Sequence, residues 1–255
     1  MTSEDRRQSI LDLVRRRGFV VVEALARRFD VTSQTIRRDI KALCDEGQLV
    51  RHHGGAGLPS SVVNTDYAAR LISQLDEKEA IGRAIAEHVP DNTSVFLTNG
   101  TTIEVVARAL LRRTGLKIFT NNVHVATTLH AKPDFEVMIA GGSVRMVNGG
   151  VVGDAAVDFV RRFRVDYAVM GIGAIEPDGT LLDYDNNEVA VVSAVMTGAR
   201  RILMAADHTK FGKTSTVRVG SLSDISALFT DHEPSAQIRA LLAAQKLAAA
   251  ARADR

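Results

Sequence analysis

The sequence is poor in cysteine and in aromatic residues: it has one cysteine, no tryptophan and 5% aromatic residues. The lone Cys44 excludes an internal disulfide. Without a run of about 18 uninterrupted apolar residues, a transmembrane helix is not expected. The first seven residues, Met-Thr-Ser-Glu-Asp-Arg-Arg, lack the apolar centre of a secretory signal. We therefore expect a cytoplasmic protein.

Motifs for metals and cofactors are also missing. The seven histidines form no His-x-x-x-His or Glu-flanked pattern, so no metal site is predicted. The run from Gly171 to Glu176, Gly-Ile-Gly-Ala-Ile-Glu, lacks the third glycine of a dinucleotide fingerprint, and no P-loop lysine motif is present. No cofactor is expected.

The region from Val31 to Ala56 has the pattern of a helix with one basic face. Thr32 can serve as its N-cap, and Gly47 can end it. Ile36, Ile40 and Leu43 recur at i, i+4 and i+7, which predicts one buried stripe. The opposite face carries amide, hydroxyl and guanidinium groups, which can bond base edges and phosphates in a major groove.

The charges of this helix are, by themselves, typical of a solvated helix face. The segment before the helix favours a role for them in DNA binding. Val21 to Phe29 is predicted as a helix followed by a tight turn, which together give a helix-turn-helix. Leu49-Val50 and the basic run from Arg51 to Gly55 are predicted as a strand and a wing that reaches the DNA backbone. The predicted DNA-binding residues are Thr32, Ser33, Gln34, Thr35, Arg37, Arg38, Lys41, Arg51 and His52.

Residues 20 to 56 resemble the winged helix-turn-helix of the DeoR family of bacterial transcriptional regulators. The family's Thr-Ile-Arg-Arg-Asp run stands at Thr35 to Asp39, and its Gly-Gly-Ala wing at Gly54 to Ala56. Thr32 stands where the family usually has serine, and both residues cap helices.

The length allows two domains, and charge separates them. Residues 1–57 hold 11 Lys or Arg and 8 Asp or Glu, a net of +3, whereas the remainder holds 21 against 22, a net of −1. The basic excess thus lies on the predicted DNA-binding module, as phosphate contacts require. We predict a DNA-binding domain at 3–58, a linker at 59–74 and an effector-binding and oligomerisation domain at 75–255.

Helical and strand-like runs alternate after the linker, following a helix predicted from Tyr67 to His88. Such alternation indicates an α/β domain with a mainly parallel sheet. The predicted strands are 94–97, 116–120, 135–140, 165–170 and 201–205, and the predicted helices between them are 101–111, 123–130, 154–163 and 188–199. Residues 235–252 are predicted as a terminal helix that makes a packing or subunit contact.

Ligands of such sheets bind outside the carboxyl ends of the strands, so the turns there are the candidate effector site. Glycine and hydroxyl groups that open a helix can hold an anion, and lysine and carboxylates can bind a phosphate and hydroxyls. The alternatives are a plain helix cap, a plain glycine turn and a surface ion pair. The predicted effector-binding residues are Gly100, Thr101, Thr102, Asn121, Gly141, Gly142, Arg145, Asp183, Glu188, Asp207 and Lys210.

These turns resemble the sensor domain of the same DeoR family, which is related in fold to sugar-phosphate isomerases and deaminases. The family's Gly-Thr-Thr begins at Gly100, its Thr-Asn at Thr120, its Gly-Gly at Gly141 and its Lys-Phe-Gly at Lys210. The runs 51–56, 58–61, 148–150 and 207–212 resemble the branch that responds to glycerol 3-phosphate, which implies that ester, or else a sugar phosphate, as inducer. Thr98 departs from the family's usual aspartate, which removes an acceptor for an effector hydroxyl.

The leading hypothesis is a repressor that binds operator DNA as a dimer or tetramer and is released by a small phosphorylated effector. An isomerase or deaminase with Asp207 or Glu188 as its proton-transfer base, and an N-terminal assembly module, is the alternative. A transcriptional activator would have the same parts, and only the resemblance favours repression.

Overall fold

The computed structural model describes residues 2–17, 19–52, 54–58, 64, 67–244 and 248–250. The chain divides into two compact units, Met1–Arg70 and Leu71–Arg255. In the described part of the chain, no helix combines the length and apolarity needed to cross a bilayer. Seven residues of the predicted linker 59–74, namely 59–63, 65 and 66, lie outside the described residues, as does His53 of the predicted wing.

The first unit contains three helices and a small antiparallel sheet. Its elements are α1 (Ser3–Arg17), β1 (Phe19–Val21), α2 (Val22–Phe29), α3 (Ser33–Asp45), β2 (Val50–His52) and β3 (Gly55–Gly57). The strands pair in the order β1-β3-β2. The helix-turn-helix and the two wing strands agree with the sequence analysis. Strand β1 was not predicted, because its three residues gain strand partners only when the distant wing folds back onto them.

Helix α3 forms as its sequence pattern predicts. The Thr32 hydroxyl accepts a hydrogen bond from the Thr35 amide, which caps the first turn. Ile36, Ile40 and Leu43 are buried in one core with residues of α1 and α2. The opposite face is thereby left to solvent.

Asp39 is a buried acid on this otherwise basic helix. It is 4% exposed and accepts hydrogen bonds from the Arg6 guanidinium, with Nε 2.5 Å from Oδ2, and from the Ser3 hydroxyl at 3.1 Å. The hydrogen bond to Asp39 raises the pKa of Arg6. This ion pair joins α1 to α3 and so fixes the orientation of the basic face.

Replacing Asp39 with asparagine is expected to lower the local stability of α1 and α3 by about 2 kcal/mol, because the largely buried guanidinium of Arg6 loses its counter-charge. Hydrogen exchange of the amides in these two helices measures the effect. Asp12→Asn is the matched control, since Asp12 forms a looser pair with Arg15 at 3.7 Å on the same helix. Equal exchange in both variants would contradict a structural role for the Asp39 pair.

The second unit is built on a seven-stranded sheet in which every pairing is parallel. Its strands, in spatial order, are β15 (Ala248–Ala250), β14 (Ala227–Phe229), β12 (Ala199–Ala205), β9 (Val165–Met170), β4 (Ser94–Leu97), β5 (Lys117–Thr120) and β6 (Glu136–Ile139). Its helices are α4 (Tyr67–Ile72, which begins in the first unit), α5 (Leu75–His88), α6 (Thr101–Leu110), α7 (Val123–Leu129), α8 (Asp154–Arg161), α9 (Asn186–Gly198) and α10 (Ala236–Ala244).

Two small antiparallel sheets accompany the main one. They consist of β7 (Ser143–Val144) with β8 (Val151–Val152), and of β10 (Ala174–Ile175), β11 (Thr180–Asp183) and β13 (Val217–Ser221). Neither was predicted, because the prediction rested on long apolar runs, which these strands of two to five residues lack. The main parallel sheet agrees with the predicted fold class.

The order of strands reverses between β4 and β9. The chain runs outward through β4, β5 and β6, then returns to build β9, β12, β14 and β15 on the other side. In open α/β sheets, this reversal opens a crevice at the carboxyl ends of the strands. The turns after β4, β9 and β12 therefore surround the natural ligand position of the fold.

Two predicted helices are wrong in extent. The helix predicted from Tyr67 to His88 is broken between Ile72 and Leu75, because Gln74 has a left-handed backbone conformation with φ +49°. The terminal helix predicted at 235–252 ends at Ala244, and 248–250 form the edge strand β15. Residues 245–247, 251 and 252 lie outside the described residues.

Candidate DNA-binding and effector-binding sites

The exposed face of α3 forms one side of an open groove. Seven of the nine predicted DNA-binding residues line it, namely Thr32, Gln34, Thr35, Arg37, Arg38, Lys41 and Arg51. Ser33 lies beside them in the first turn of α3, and His52 is the last residue of strand β2. The helix and the wing strand therefore present their polar groups to the same side.

The two adjacent arginines of α3 differ in their surroundings. Arg37 forms an ion pair with Glu23 of α2, at 3.7 Å between NH2 and Oε1. Arg38 is exposed and has no ion-pair partner among the described residues. A partner anion therefore meets a more available charge at Arg38 than at Arg37.

The first predicted effector turn follows β4 at the strand-order reversal. Gly100 has φ +132°, a conformation that favours glycine, and it brings the chain directly into α6. Thr101 and Thr102 are buried in the first turn of that helix, whose free amides and dipole favour an anion. This turn has the chemistry of a phosphate-binding helix start.

Asp207 lies after β12 and is 2% exposed. Burial raises its pKa, but the charge of Lys210, the hydrogen bond from the Thr209 hydroxyl and the charge of Lys78 together lower the pKa below its ordinary value. Asp207 is therefore an ionised carboxylate whose charge is stabilised by two ammonium groups. Lys78, a buried residue of α5, was not predicted as part of this site.

Glu188 is the centre of a second polar cluster. Its carboxylate accepts hydrogen bonds from the Asn99 amide at 2.7 Å and the Asn148 amide at 2.8 Å. The Nε of Arg145 lies 2.9 Å from Glu188 Oε1, and its NH1 lies 2.6 Å from Asp185. The charge of Arg145 is thus neutralised by two carboxylates, so an anion meets less positive charge here than the sequence suggested.

Asn121 lies at the carboxyl end of β5 and is fully buried. Its amide nitrogen donates to the Val151 carbonyl at 3.2 Å. Within the described part of the chain, no donor reaches its side-chain oxygen. A buried acceptor without a donor is a natural partner for a ligand hydroxyl.

The structure does not bring all predicted effector residues together. Gly141 and Gly142 follow the edge strand β6, four strand positions from β12, which is a separation of roughly 19 Å. A Cβ on Gly142 would lie 2.6 Å from the Val152 carbonyl oxygen, so this glycine serves the β7–β8 pairing. Asp183, by contrast, ends β11 beside the turn after β9, because its Oδ1 would lie 2.8 Å from a Cβ on Gly173.

Three potential metal ligands that the sequence patterns missed also meet at the carboxyl edge. His208, Asp231 and His232 have ligand atoms within 4.8 Å of one another. Sequence spacing could not reveal the group, because His208 follows β12 and the other two follow β14. In the structure, Asp231 accepts from the amide and the ring of His208, which anchors the turn that carries Asp207 and Lys210.

A basic helix-turn-helix with a wing, followed by a parallel sheet with an anion-compatible edge, defines a ligand-responsive DNA-binding regulator. Residues 6–62 match the model of the DeoR-like helix-turn-helix domain, and residues 73–232 match that of the DeoR C terminal sensor domain. The chain belongs to the DeoR family.

Relatives cover nearly the whole chain. It is 46% identical to the HTH-type transcriptional repressor CsqR of Escherichia coli K12, over 95% of this chain and 93% of the relative. It is 42% identical to the Glycerol-3-phosphate regulon repressor of the same organism, over 95% and 96%. Among solved structures, ribose 5-phosphate isomerase A of Methanocaldococcus jannaschii aligns at 14% identity and a TM-score of 0.41, over 55% of each chain.

Proposed function

We propose that this protein is a transcriptional repressor whose operator binding is relieved by a small phosphorylated polyol or sugar, with glycerol 3-phosphate as the inducer. The observation that carries the DNA-binding part is the groove in which seven predicted contact residues, from Thr32 to Arg51, lie together. Gln34 and Arg38 supply base-edge and phosphate donors, and Arg51 reaches the backbone from the wing. The protein acts in the cytoplasm.

The sensor end supports a ligand with an anion at one end and hydroxyls at the other. The start of α6, with Lys210 and Lys78 nearby, favours a phosphate. The Glu188 carboxylate and the free side-chain oxygen of Asn121 can accept hydrogen bonds from ligand hydroxyls. A three-carbon polyol phosphate has both kinds of group, which supports glycerol 3-phosphate.

The protein is a regulator and not an enzyme. Its relatives over 95% of the chain are repressors. The two residues considered as proton-transfer bases also have other roles. The charges of Lys210 and Lys78 keep Asp207 ionised, and the Glu188 carboxylate is already engaged by two amides and a guanidinium.

We propose a dimer or tetramer as the DNA-binding form. A single small head binds weakly, whereas two heads can read half-sites one helical turn apart. Effector binding must then favour an arrangement in which the heads no longer match that spacing. A domain division at 3–58, 59–74 and 75–255 fits this scheme.

A thermal-shift screen against phosphate esters tests the proposal. Glycerol 3-phosphate at a hundred times its dissociation constant is expected to add about 2.7 kcal/mol of stability. Glycerol and inorganic phosphate, which each carry half of the chemistry, are the controls and should stabilise far less. If only a sugar phosphate stabilises the protein, that ester replaces glycerol 3-phosphate as the proposed inducer. If no phosphate ester stabilises it, the proposal that the protein binds a phosphorylated effector is contradicted. A gel shift with operator DNA tests the other part independently.

A further inference from the structure

Lys78 has a position that a surface lysine would not occupy. It lies in the first turn of α5, is 3% exposed, and donates a hydrogen bond from Nζ to the Ser73 carbonyl oxygen at 2.7 Å. A buried ammonium is costly unless it is paired and hydrogen-bonded. One of its partners is thus the backbone at the break between α4 and α5.

The other side of Lys78 faces the candidate effector edge. Gly82 of α5 packs on Val105 of α6. A Cβ placed on this glycine would lie 3.4 Å from the valine side chain. Both helices run from the carboxyl edge of the sheet toward its amino edge, so Lys78 lies level with the first turn of α6. Its charge also acts on the buried Asp207 carboxylate. Lys78 therefore stands between the helix break and the predicted anion position.

The break itself is held by little packing. Leu71, Ile72 and Leu75 are exposed by 37%, 72% and 40%. Gln74 has a left-handed backbone conformation, which costs free energy for a residue with a side chain. A segment with few buried apolar contacts opens more easily than the core, so the Lys78–Ser73 hydrogen bond contributes to holding it closed.

We infer that Lys78 is an effector ligand that also acts as a latch: it ties the α4–α5 break when the sensor is empty and releases Ser73 when an effector phosphate binds beside α6. The released break lies where the chain leaves the sensor unit toward the DNA-binding unit, so the latch converts occupancy into a change in the connecting segment. This inference rests on the proposed function, because it assigns how that effector is read.

Hydrogen exchange of residues 71–78 in the full-length protein tests the latch. Saturating glycerol 3-phosphate is expected to raise exchange there at least tenfold in the wild type. In Lys78→Met, exchange should already be raised without effector and should not respond, and effector affinity should fall at least tenfold. Lys78→Arg, which keeps a charge and donors, should retain protection. Lys117→Met, at the amino end of β5, is the matched control and should behave as wild type.

Two results would overturn the latch: unchanged exchange in the wild type on saturation, or wild-type protection in effector-free Lys78→Met. If Lys78→Met does not fold, the wild-type comparison still decides. If no phosphate ester binds the wild type, the effector assignment fails, while the effector-free comparison of wild type and Lys78→Met still tests the tie to Ser73. Inorganic phosphate serves as a second probe, because it carries the anion without hydroxyls.

Discussion

Replacing Arg38 with alanine is expected to weaken operator binding by about 1–3 kcal/mol, roughly 5- to 150-fold, and to leave effector binding unchanged. Arg38 lines the groove with Thr35, is exposed, and has no ion-pair partner among the described residues. Its guanidinium can therefore bind guanine or phosphate without first breaking an internal contact. Arg37→Ala should cost less, because Arg37 already forms an ion pair with Glu23.

Gel-shift titrations at several salt concentrations separate the two kinds of contact. A phosphate contact would lower the salt dependence by about one ion and act equally on all sequences, whereas a base contact would relax the preference at one position. Arg161→Ala on α8 is the control, since it removes an exposed arginine from the other unit. Wild-type operator affinity in Arg38→Ala would mean that the groove is not the DNA-binding surface.

The parts of the fold that could be predicted are those that local patterns encode. The stripe of Ile36, Ile40 and Leu43 faces the core as its spacing requires, and the Thr32 cap forms between residues three apart. Five of the seven strands of the parallel sheet, β4, β5, β6, β9 and β12, were predicted because each is a short apolar run bounded by turn residues, whereas the buried strand β14 was missed. The position of the turns at one edge then follows from the parallel topology.

The parts that could not be predicted depend on residues distant in sequence. Asp39 looked like one more polar residue of a basic helix, and only its pairing with Arg6, 33 positions away, explains its burial. Lys78 fitted the solvated face of an amphipathic helix until the turn after β12 placed Asp207 near it. The break at Gln74 has no glycine or proline to mark it.

The candidate effector site shows the same division. The turn at Gly100 and the carboxylates at Glu188 and Asp207 were selected from their place after strands or before a helix. Arg145 was expected to supply a charge for the ligand, yet in the structure it forms ion pairs with Asp185 and Glu188. A guanidinium's availability depends on which carboxylates the tertiary structure places beside it, and sequence position does not reveal this.

Lys210→Ala is expected to abolish induction while operator binding stays intact. Lys210 acts on the buried Asp207 at the end of β12, close to the strand-order reversal where the effector is proposed to bind. Losing one of two ammonium groups near the phosphate removes a charge-assisted contact at a site with little solvent screening. Because the Lys78–Ser73 hydrogen bond remains, the empty sensor keeps its resting state and the protein continues to repress.

The measurement is release of operator DNA as glycerol 3-phosphate is added, followed for wild type and variant. Wild type should release the operator as the ester is added, and Lys210→Ala should stay bound at a hundredfold higher concentration than wild type needs. Lys132→Ala, which removes a lysine paired with Asp134, is the matched control and should release normally. Release of the Lys210 variant at the wild-type concentration would contradict its role in effector binding. Loss of operator binding without effector would instead assign Lys210 to the structure of the repressing state.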